Sequence, residues 1–179
     1  MDNEYRRLAH PIEYSFSQLL EKEPPESEIQ SWLERHPRAL GGEQAVLKKA
    51  TLGSEYELDF LTVENITVGF TWNIVEVKRP DSSLFRKDDL PSDDINSAVA
   101  QVERYLAWIR NNLAYVRRLY PGMYDPRALI LIGRRSQLSQ ENRILLRQLN
   151  SNRTVKIRTF DSILDRSRFL TSISKLTMH

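Results

Sequence analysis

The chain has 179 residues, of which 40% are hydrophobic and 28% charged, and its formal net charge is +2. This length and composition predict one compact domain of a soluble globular protein, and no apolar run approaches the roughly eighteen residues that a membrane span requires. The lack of cysteine excludes disulfides and thiolate metal sites, and the N-terminal residues have no signal-peptide core, so we expect a cytoplasmic protein.

The first half of the chain predicts two helices followed by three strands. Apolar residues at helical spacing occur at 12–22 and again at 26–37, where Ser27 is the expected N-cap. Strands are predicted at 45–52, 56–63 and 72–78, and a polar, mobile loop is predicted at 81–92.

The second half alternates helices and strands. A long helix, capped by Asp93 or Asp94, is predicted to extend to about residue 119, because its apolar residues form one continuous face. The apolar stretch ALILIG (128–133) is typical of a central strand covered on both sides. A helix at 136–150, a strand at 154–160 and a terminal helix from Asp161 follow. This order predicts an α/β fold, with one mixed β-sheet flanked by helices.

Charge is distributed unevenly along the chain. Residues 127–168 contain ten Lys or Arg and three acidic residues, so the rest of the chain is acidic overall. Such an imbalance favours one surface that faces an anion, most often nucleic acid. The alternative is a solvated helix surface that uses arginine.

The strand WNIVEVK (72–78) carries two charged residues at the end of an apolar stretch. Because side chains alternate along a strand, Glu76 and Lys78 share one partly covered face. Asp59 can lie beside them if the two strands pair across the 64–71 loop. Two carboxylates can hold Mg²⁺, which prefers oxygen ligands, and an ammonium group can offset charge on a phosphate. The pattern favours phosphodiester hydrolysis; a surface ion pair with an ordinary strand-end acid is the alternative.

Four blocks in this order resemble the PD-(D/E)XK nuclease superfamily, and within it the Shedu anti-phage defence nuclease domain. The blocks are LDFL, WNIVEVKRP, INSAVAQVERYLAWI and ALILIGR, and the resemblance covers about residues 26–158. It implies a restriction-endonuclease-like fold with an αβββαβ core. The nuclease-like domain would span 26–179, after an N-terminal helical extension at 1–25. This chain has Leu58 before Asp59, at the position where the motif that names the superfamily has proline.

The resemblance implies a metal-dependent endodeoxyribonuclease that acts in anti-phage defence with Mg²⁺ or Mn²⁺. It makes Asp59 and Glu76 metal ligands, Val77 a backbone-carbonyl ligand, and Lys78 the catalytic lysine. Gln101, on the long helix, corresponds to a glutamine that many relatives direct into the same site. A helix-surface amide is the alternative for this residue.

An acid on the first helix of the domain completes the implied site. Glu28 fits the position at which relatives often place such an acid. Glu26, Glu34 and simple solvent exposure of Glu28 are the alternatives.

Four basic residues are candidates for contacts with DNA phosphates: Arg79, Arg86, Lys87 and Arg134. For the first three, keeping the loop soluble is an equal alternative. For Arg134 a substrate or structural role is favoured, and simple solvation is the alternative. DNA is the expected partner, and a homo-oligomer or a regulatory partner is also expected. The alternative functions are a catalytically silent DNA-binding or assembly module, and a nuclease that acts on RNA or on DNA ends.

Overall fold

The computed structural model describes residues 11–40, 45–67, 69–151 and 153–166. Its helices are α1 (Pro11–Glu21), α2 (Glu26–Arg35), α3 (Asp93–Asn111), α4 (Leu113–Leu119) and α5 (Gln140–Ser151). Its strands are β1 (Ala45–Lys48), β2 (Thr51–Leu52), β3 (Tyr56–Glu57), β4 (Phe60–Ile66), β5 (Gly69–Val77), β6 (Arg127–Leu131) and β7 (Val155–Arg158). Short 3-10 helices occupy Pro37–Leu40 and Arg135–Gln137, and residues 161–166 are helical.

Five of these strands form one mixed sheet in the order β1-β4-β5-β6-β7. The pairs β1–β4 and β4–β5 are antiparallel, whereas β5–β6 and β6–β7 are parallel. Strands β2 and β3 pair separately as a small hairpin. The predicted mixed α/β sheet is therefore confirmed, with β6 as an interior strand.

Helices cover both faces of the sheet, so the molecule has two apolar layers. On one face, α3 packs through Ala98, Val102 and Ile109 against Trp72 and Ile74 of β5. On the other face the layer is built by α1, α2 and the helical residues 161–166, and its buried members include Phe16, Leu20, Trp32, Leu33, Val75, Val77, Phe160 and Ile163. Within the described ranges, no helix combines the length and apolar character that a membrane crossing requires.

Helix α1 belongs to this second layer although it lies in the stretch predicted as an extension (1–25). The Phe16 and Trp32 rings lie 4.3 Å apart, and Phe16 also approaches Phe160 at 6.3 Å between centroids. Phe16 is fully buried. The division at residue 25 stays a prediction, and residues 1–10 lie outside the described ranges.

Two helix caps differ from prediction. Helix α2 has Pro25 at its N-cap, and Ser27 lies within its first turn. At the start of α3 the cap is Ser92, whose Oγ accepts a 3.2 Å hydrogen bond from the backbone N–H of Ile95. The predicted caps Asp93 and Asp94 occupy the first turn instead, where negative charge also suits the helix dipole.

Several predicted elements are interrupted. A positive φ of 56° at Lys49 separates β1 from β2, and Leu58 and Asp59 separate β3 from β4. The long helix ends at Asn111 and resumes at Leu113, because the backbone of Asn112 leaves the helical conformation (φ −124°, ψ 29°). The Asn112 side chain also donates to the carbonyl of Trp108 at 2.9 Å. The loop predicted as polar and mobile at 81–92 is anchored by two buried side chains, Leu84 and Phe85.

Gly133 fixes the path of the chain after β5. Its φ is +64°, and a Cβ there would lie 2.6 Å from the carbonyl oxygen of Ser82 and would collide with the side chain of Leu84. Its N–H donates to the carbonyl of Arg79 at 3.1 Å. Only glycine allows this close approach, which holds the 79–84 segment against the end of β6.

Candidate functional site

Asp59 lies where β4 meets α2 and β5. Phe60 pairs with Val75, so Asp59, one residue earlier, reaches the end of β5 near Glu76. Its Oδ2 accepts a 2.8 Å hydrogen bond from the backbone N–H of Val77, and its Oδ1 accepts a 2.9 Å bond from the Gln30 side chain on α2. The pairing on which the predicted proximity depends is therefore present.

Glu76 and Lys78 form an ion pair at the end of β5. The Lys78 Nζ lies 2.7 Å from Glu76 Oε1. Glu76 is only 2% exposed, and its other oxygen, Oε2, is buried without a hydrogen-bond partner among the described residues. A buried carboxylate oxygen with no donor is costly, which makes Oε2 a candidate ligand atom for a cation.

Gln101 on α3 is directed into this pair. Its Oε1 accepts a 3.0 Å hydrogen bond from Lys78 Nζ, and its Nε2 donates to the hydroxyl of Tyr105 at 2.5 Å. Tyr105 lies one turn further along the helix and is buried. Because the ammonium group of Lys78 can only donate, the amide oxygen of Gln101 faces it and the amide nitrogen faces the Tyr105 hydroxyl.

The acid that α2 brings to the site is Glu26. Its Oε1 accepts a 3.1 Å hydrogen bond from Gln30, the residue that also binds Asp59. Glu28 is exposed. None of the hydrogen bonds in the described part of the chain joins its side chain to the cluster formed by Asp59, Glu76, Lys78 and their partners. Glu34 pairs instead with Lys48 on β1. A catalytic role for Glu28 stays a prediction, but the structure places the alternative, Glu26, beside the site.

Burial raises the pKa of every carboxyl group in the cluster. Burial, and then the charge of Asp59, raise the pKa of Glu76 to about 7, against the opposing hydrogen bond from Lys78. Burial also raises the pKa of Asp59, which the Val77 N–H opposes, and that of Glu26, which Lys78 opposes. Ionisation of these carboxyl groups is therefore disfavoured, and a bound cation would favour it.

Lys78 remains a cation in this setting. Burial lowers the pKa of its ammonium group, but the hydrogen bond to Glu76 and the carboxylates of Glu76, Glu26 and Asp59 outweigh burial and raise it. Lys78 can therefore offset negative charge at neutral pH, but it is a poor proton acceptor.

These residues fit a hard divalent cation. The orphaned Oε2 of Glu76, the neighbouring Asp59 and the raised carboxyl pKa values all mark a place where a cation would be stabilised. Oxygen donors of this kind suit Mg²⁺ or Mn²⁺. The donor set is small: across the described ranges no three or more His, Cys, Asp or Glu side chains are grouped to hold a metal. Backbone oxygen and water would complete the shell, and a Val77 carbonyl ligand stays a prediction.

Three predicted DNA-binding arginines are engaged in ion pairs. Arg79 contacts Asp81 at 2.8 Å, Arg86 contacts Asp88 at 2.9 Å, and Arg134 contacts Asp161 at 3.3 Å. Lys87 is exposed in the same loop as Arg86. Contacts of these four residues with DNA stay predictions, and Arg134 also has a structural role because it ties the end of β6 to residue 161.

Two residues of the cluster escaped the sequence reasoning, Gln30 and Tyr105. Both are neutral, so the charge pattern of the sequence does not distinguish them. Each lies four residues from a residue that it contacts, Gln30 from Glu26 and Tyr105 from Gln101. This helical spacing was the available signal.

Comparison with known families matches a region that contains the clustered residues. A family model described as the C-terminal part of the Shedu protein SduA matches residues 23–164. The match includes α2, β4, β5 and α3, which carry the clustered residues. No curated protein matches the chain.

Proposed function

The chain belongs to the family of the Shedu protein SduA C-terminal domain, and on this premise we propose that it is a metal-dependent endodeoxyribonuclease acting in anti-phage defence. The single observation that carries the proposal is the Glu76–Lys78 pair beside Asp59, in which Glu76 Oε2 is buried without a partner. The chemistry is argued from these residues, and the defence role from the family.

The order of the elements supports a restriction-endonuclease-like core. With the β2–β3 hairpin set aside, α2, β1, β4, β5, α3 and β6 follow one another in the αβββαβ order. The clustered residues lie at the end of β5, where the antiparallel and parallel halves of the sheet meet. This architecture stays part of the proposal.

Asp59 and Glu76 would hold Mg²⁺ or Mn²⁺, with the Val77 carbonyl as a further candidate ligand. A bound ion supplies Lewis-acid polarisation of the phosphodiester and makes water more acidic. Lys78, fixed by Glu76 and Gln101, places a positive charge where negative charge grows as water attacks phosphorus. The P–O bond to the leaving nucleotide then breaks, which leaves a phosphate and a hydroxyl end.

Supercoiled plasmid provides a direct test. Wild type, Asp59→Ala and Lys78→Ala are incubated with Mg²⁺, and parallel samples contain EDTA. We expect nicked or linear DNA only from wild type with the metal. Cleavage at equal rates by all three proteins would remove this site from the chemistry.

A second candidate function is a DNA-binding or assembly module that does not cut. It is favoured by the small donor set and by the fact that both oxygens of Asp59 already accept hydrogen bonds. Metal-independent DNA binding without strand scission under Mg²⁺ or Mn²⁺ would support this alternative. A panel of labelled substrates distinguishes action on RNA or on DNA ends from cleavage within duplex DNA.

A cytoplasmic location and a homo-oligomer or regulatory partner also stay predictions.

A further inference from the structure

A basic cleft of about 500 Å³ lies on the sheet away from the acidic cluster. It is lined by Thr71, Asp125, Arg127, Arg153, Thr154 and Lys156. Three of these residues are cations and one is an acid. The sequence does not mark this group, because its members come from β5, β6, β7 and the turns beside them.

The cleft is separated from the acidic cluster along the strands. Arg127 begins β6 opposite Asn73, whereas Glu76 is opposite Ile130. Three residues of strand correspond to about 10 Å. Glu76 also shares the α3 face with Ile74, whereas Arg127, Leu129 and Lys156 alternate with residues of that layer and so lie on the α1–α2 face.

The helices leave this end of the sheet uncovered. Along β6, Leu131 is buried, Leu129 is half-buried and Arg127 is exposed. Thr71 and Asn73 on β5, and Lys156 on β7, are also only partly buried. The open part of the face is therefore polar, and its charged side chains are mainly basic.

The cations of the cleft are less neutralised than Arg134 and Arg135, the two arginines that follow β6. Arg134 and Arg135 pair with Asp161 and Asp165. Within the described ranges, by contrast, Arg127 and Arg153 form no ion pair. Lys156 donates to the carbonyl of Asn150, which leaves two of its three N–H groups for another acceptor. Part of the excess positive charge of residues 127–168 therefore lies in this cleft.

We propose that the cleft binds the phosphate backbone of duplex DNA, as a contact additional to the acidic cluster. Guanidinium groups bind phosphate oxygens in a bidentate manner, and an array of cations on an open face favours a polyanion. The choice of DNA rests on the proposed function. The contact is sequence-independent, because it involves phosphates and not base edges.

Salt dependence of DNA binding tests this contact. Anisotropy of a labelled duplex is measured with the full chain in EDTA over a range of salt concentrations, for wild type and for Arg127→Ala/Arg153→Ala. Each lost phosphate contact reduces the slope of log K against log salt by about 1, so we expect a reduction of about 2. Arg127→Lys/Arg153→Lys retains most of the slope, and Arg110→Ala, an exposed arginine on α3, retains all of it. Circular dichroism verifies that each variant is folded.

The outcomes separate this inference from the proposed nuclease. If the alanine pair keeps the wild-type slope, the cleft does not bind DNA, whatever the plasmid assay shows. If the slope falls as expected but wild type never cuts DNA, the cleft stands and the nuclease proposal fails. Binding of inorganic phosphate that requires Arg127, with an unchanged DNA slope, would assign the cleft to a small anion and overturn the inference.

Discussion

The carboxylate of Asp59 accepts a 2.8 Å hydrogen bond from the backbone N–H of Val77, the last residue of the neighbouring strand. An acid proposed as a metal ligand thus also satisfies a main-chain donor, because Asp59 lies just before β4 and beside the end of β5. Its other oxygen is bound by Gln30. Chemistry and local stability are coupled at this residue.

Asp59→Ala and Asp59→Asn should separate those two roles. Alanine leaves the Val77 N–H and the Gln30 amide without an acceptor, so we expect the free energy of unfolding to fall by about 1 to 3 kcal/mol. Asparagine keeps one acceptor oxygen and should lose less stability, yet both variants should lose cleavage. Urea denaturation in EDTA measures the stabilities. An equal loss in both variants would mean that the acceptor oxygen kept by asparagine contributes little.

The raised pKa of Glu76 predicts that metal-free protein loses stability as pH rises. The folded pKa is about 7 and the ordinary value is 4.5, so between them the folded state binds more protons than the unfolded state. Stability from this group is complete below about pH 4.5 and declines until about pH 7, by up to about 3 kcal/mol. Glu76→Gln should flatten this part of the profile of unfolding free energy against pH. A variant with the wild-type slope would exclude Glu76 as its source.

Divalent cations should counteract this effect. A cation bound by Asp59 and Glu76 favours the ionised carboxylates and competes with protons, so Mg²⁺ should raise the melting temperature more at pH 8 than at pH 5.5. Glu76→Gln should show little shift at either pH. Differential scanning fluorimetry with Mg²⁺, and with Na⁺ at matched ionic strength, measures the difference. A shift that is the same at both pH values, or that persists in the variant, would place the ion elsewhere.

Two acids on α2 form a matched pair for mutation. Glu26 is half-buried and shares Gln30 with Asp59, whereas Glu28 is exposed. We expect Glu26→Gln to reduce the cleavage rate by about tenfold or more, which corresponds to the free energy of one hydrogen bond to a charged group. We expect Glu28→Gln to leave the cleavage rate near that of wild type. The reverse result would restore Glu28 as the helix acid of the site.

Gly133→Ala should destabilise the segment that follows β5. The new Cβ meets the Ser82 carbonyl in a left-handed backbone conformation, so we expect a cost of roughly 2 to 4 kcal/mol. Gly122→Ala is the control, because its φ of +78° is similar but its Cβ would make only 3.6 Å contacts with Phe70. Thermal unfolding of both variants separates the collision from the backbone strain, and similar losses would show that the close approach costs nothing.

The sequence was sufficient for the main features of the sheet and for part of the site. Alternation along β5 placed Glu76 and Lys78 on one face, and pairing of β4 with β5 brings Asp59 to them. The family resemblance pointed to Gln101, for which a helix-surface amide was the alternative, and it does contact Lys78. The catalytic and metal-binding roles of these residues stay predictions.

Features that depend on tertiary placement were not readable from the sequence. On α2 the buried stripe of Ile29 and Leu33 leaves Glu28 and Gln30 on opposite flanks, and periodicity does not say which flank faces the site. The basic cleft likewise depends on how far the helices extend over the sheet. The break at Lys49 requires a positive φ that local sequence does not demand.

The packing of Phe16 against Trp32 and Phe160 has a practical consequence for handling this domain. The family match begins at residue 23, but a protein truncated there would lack Phe16 and Leu20. The aromatic side chains that these two residues cover would then be exposed to solvent. Low yield or aggregation of such a fragment would then result from its uncovered hydrophobic residues, and would not be evidence against the residues proposed to cleave DNA.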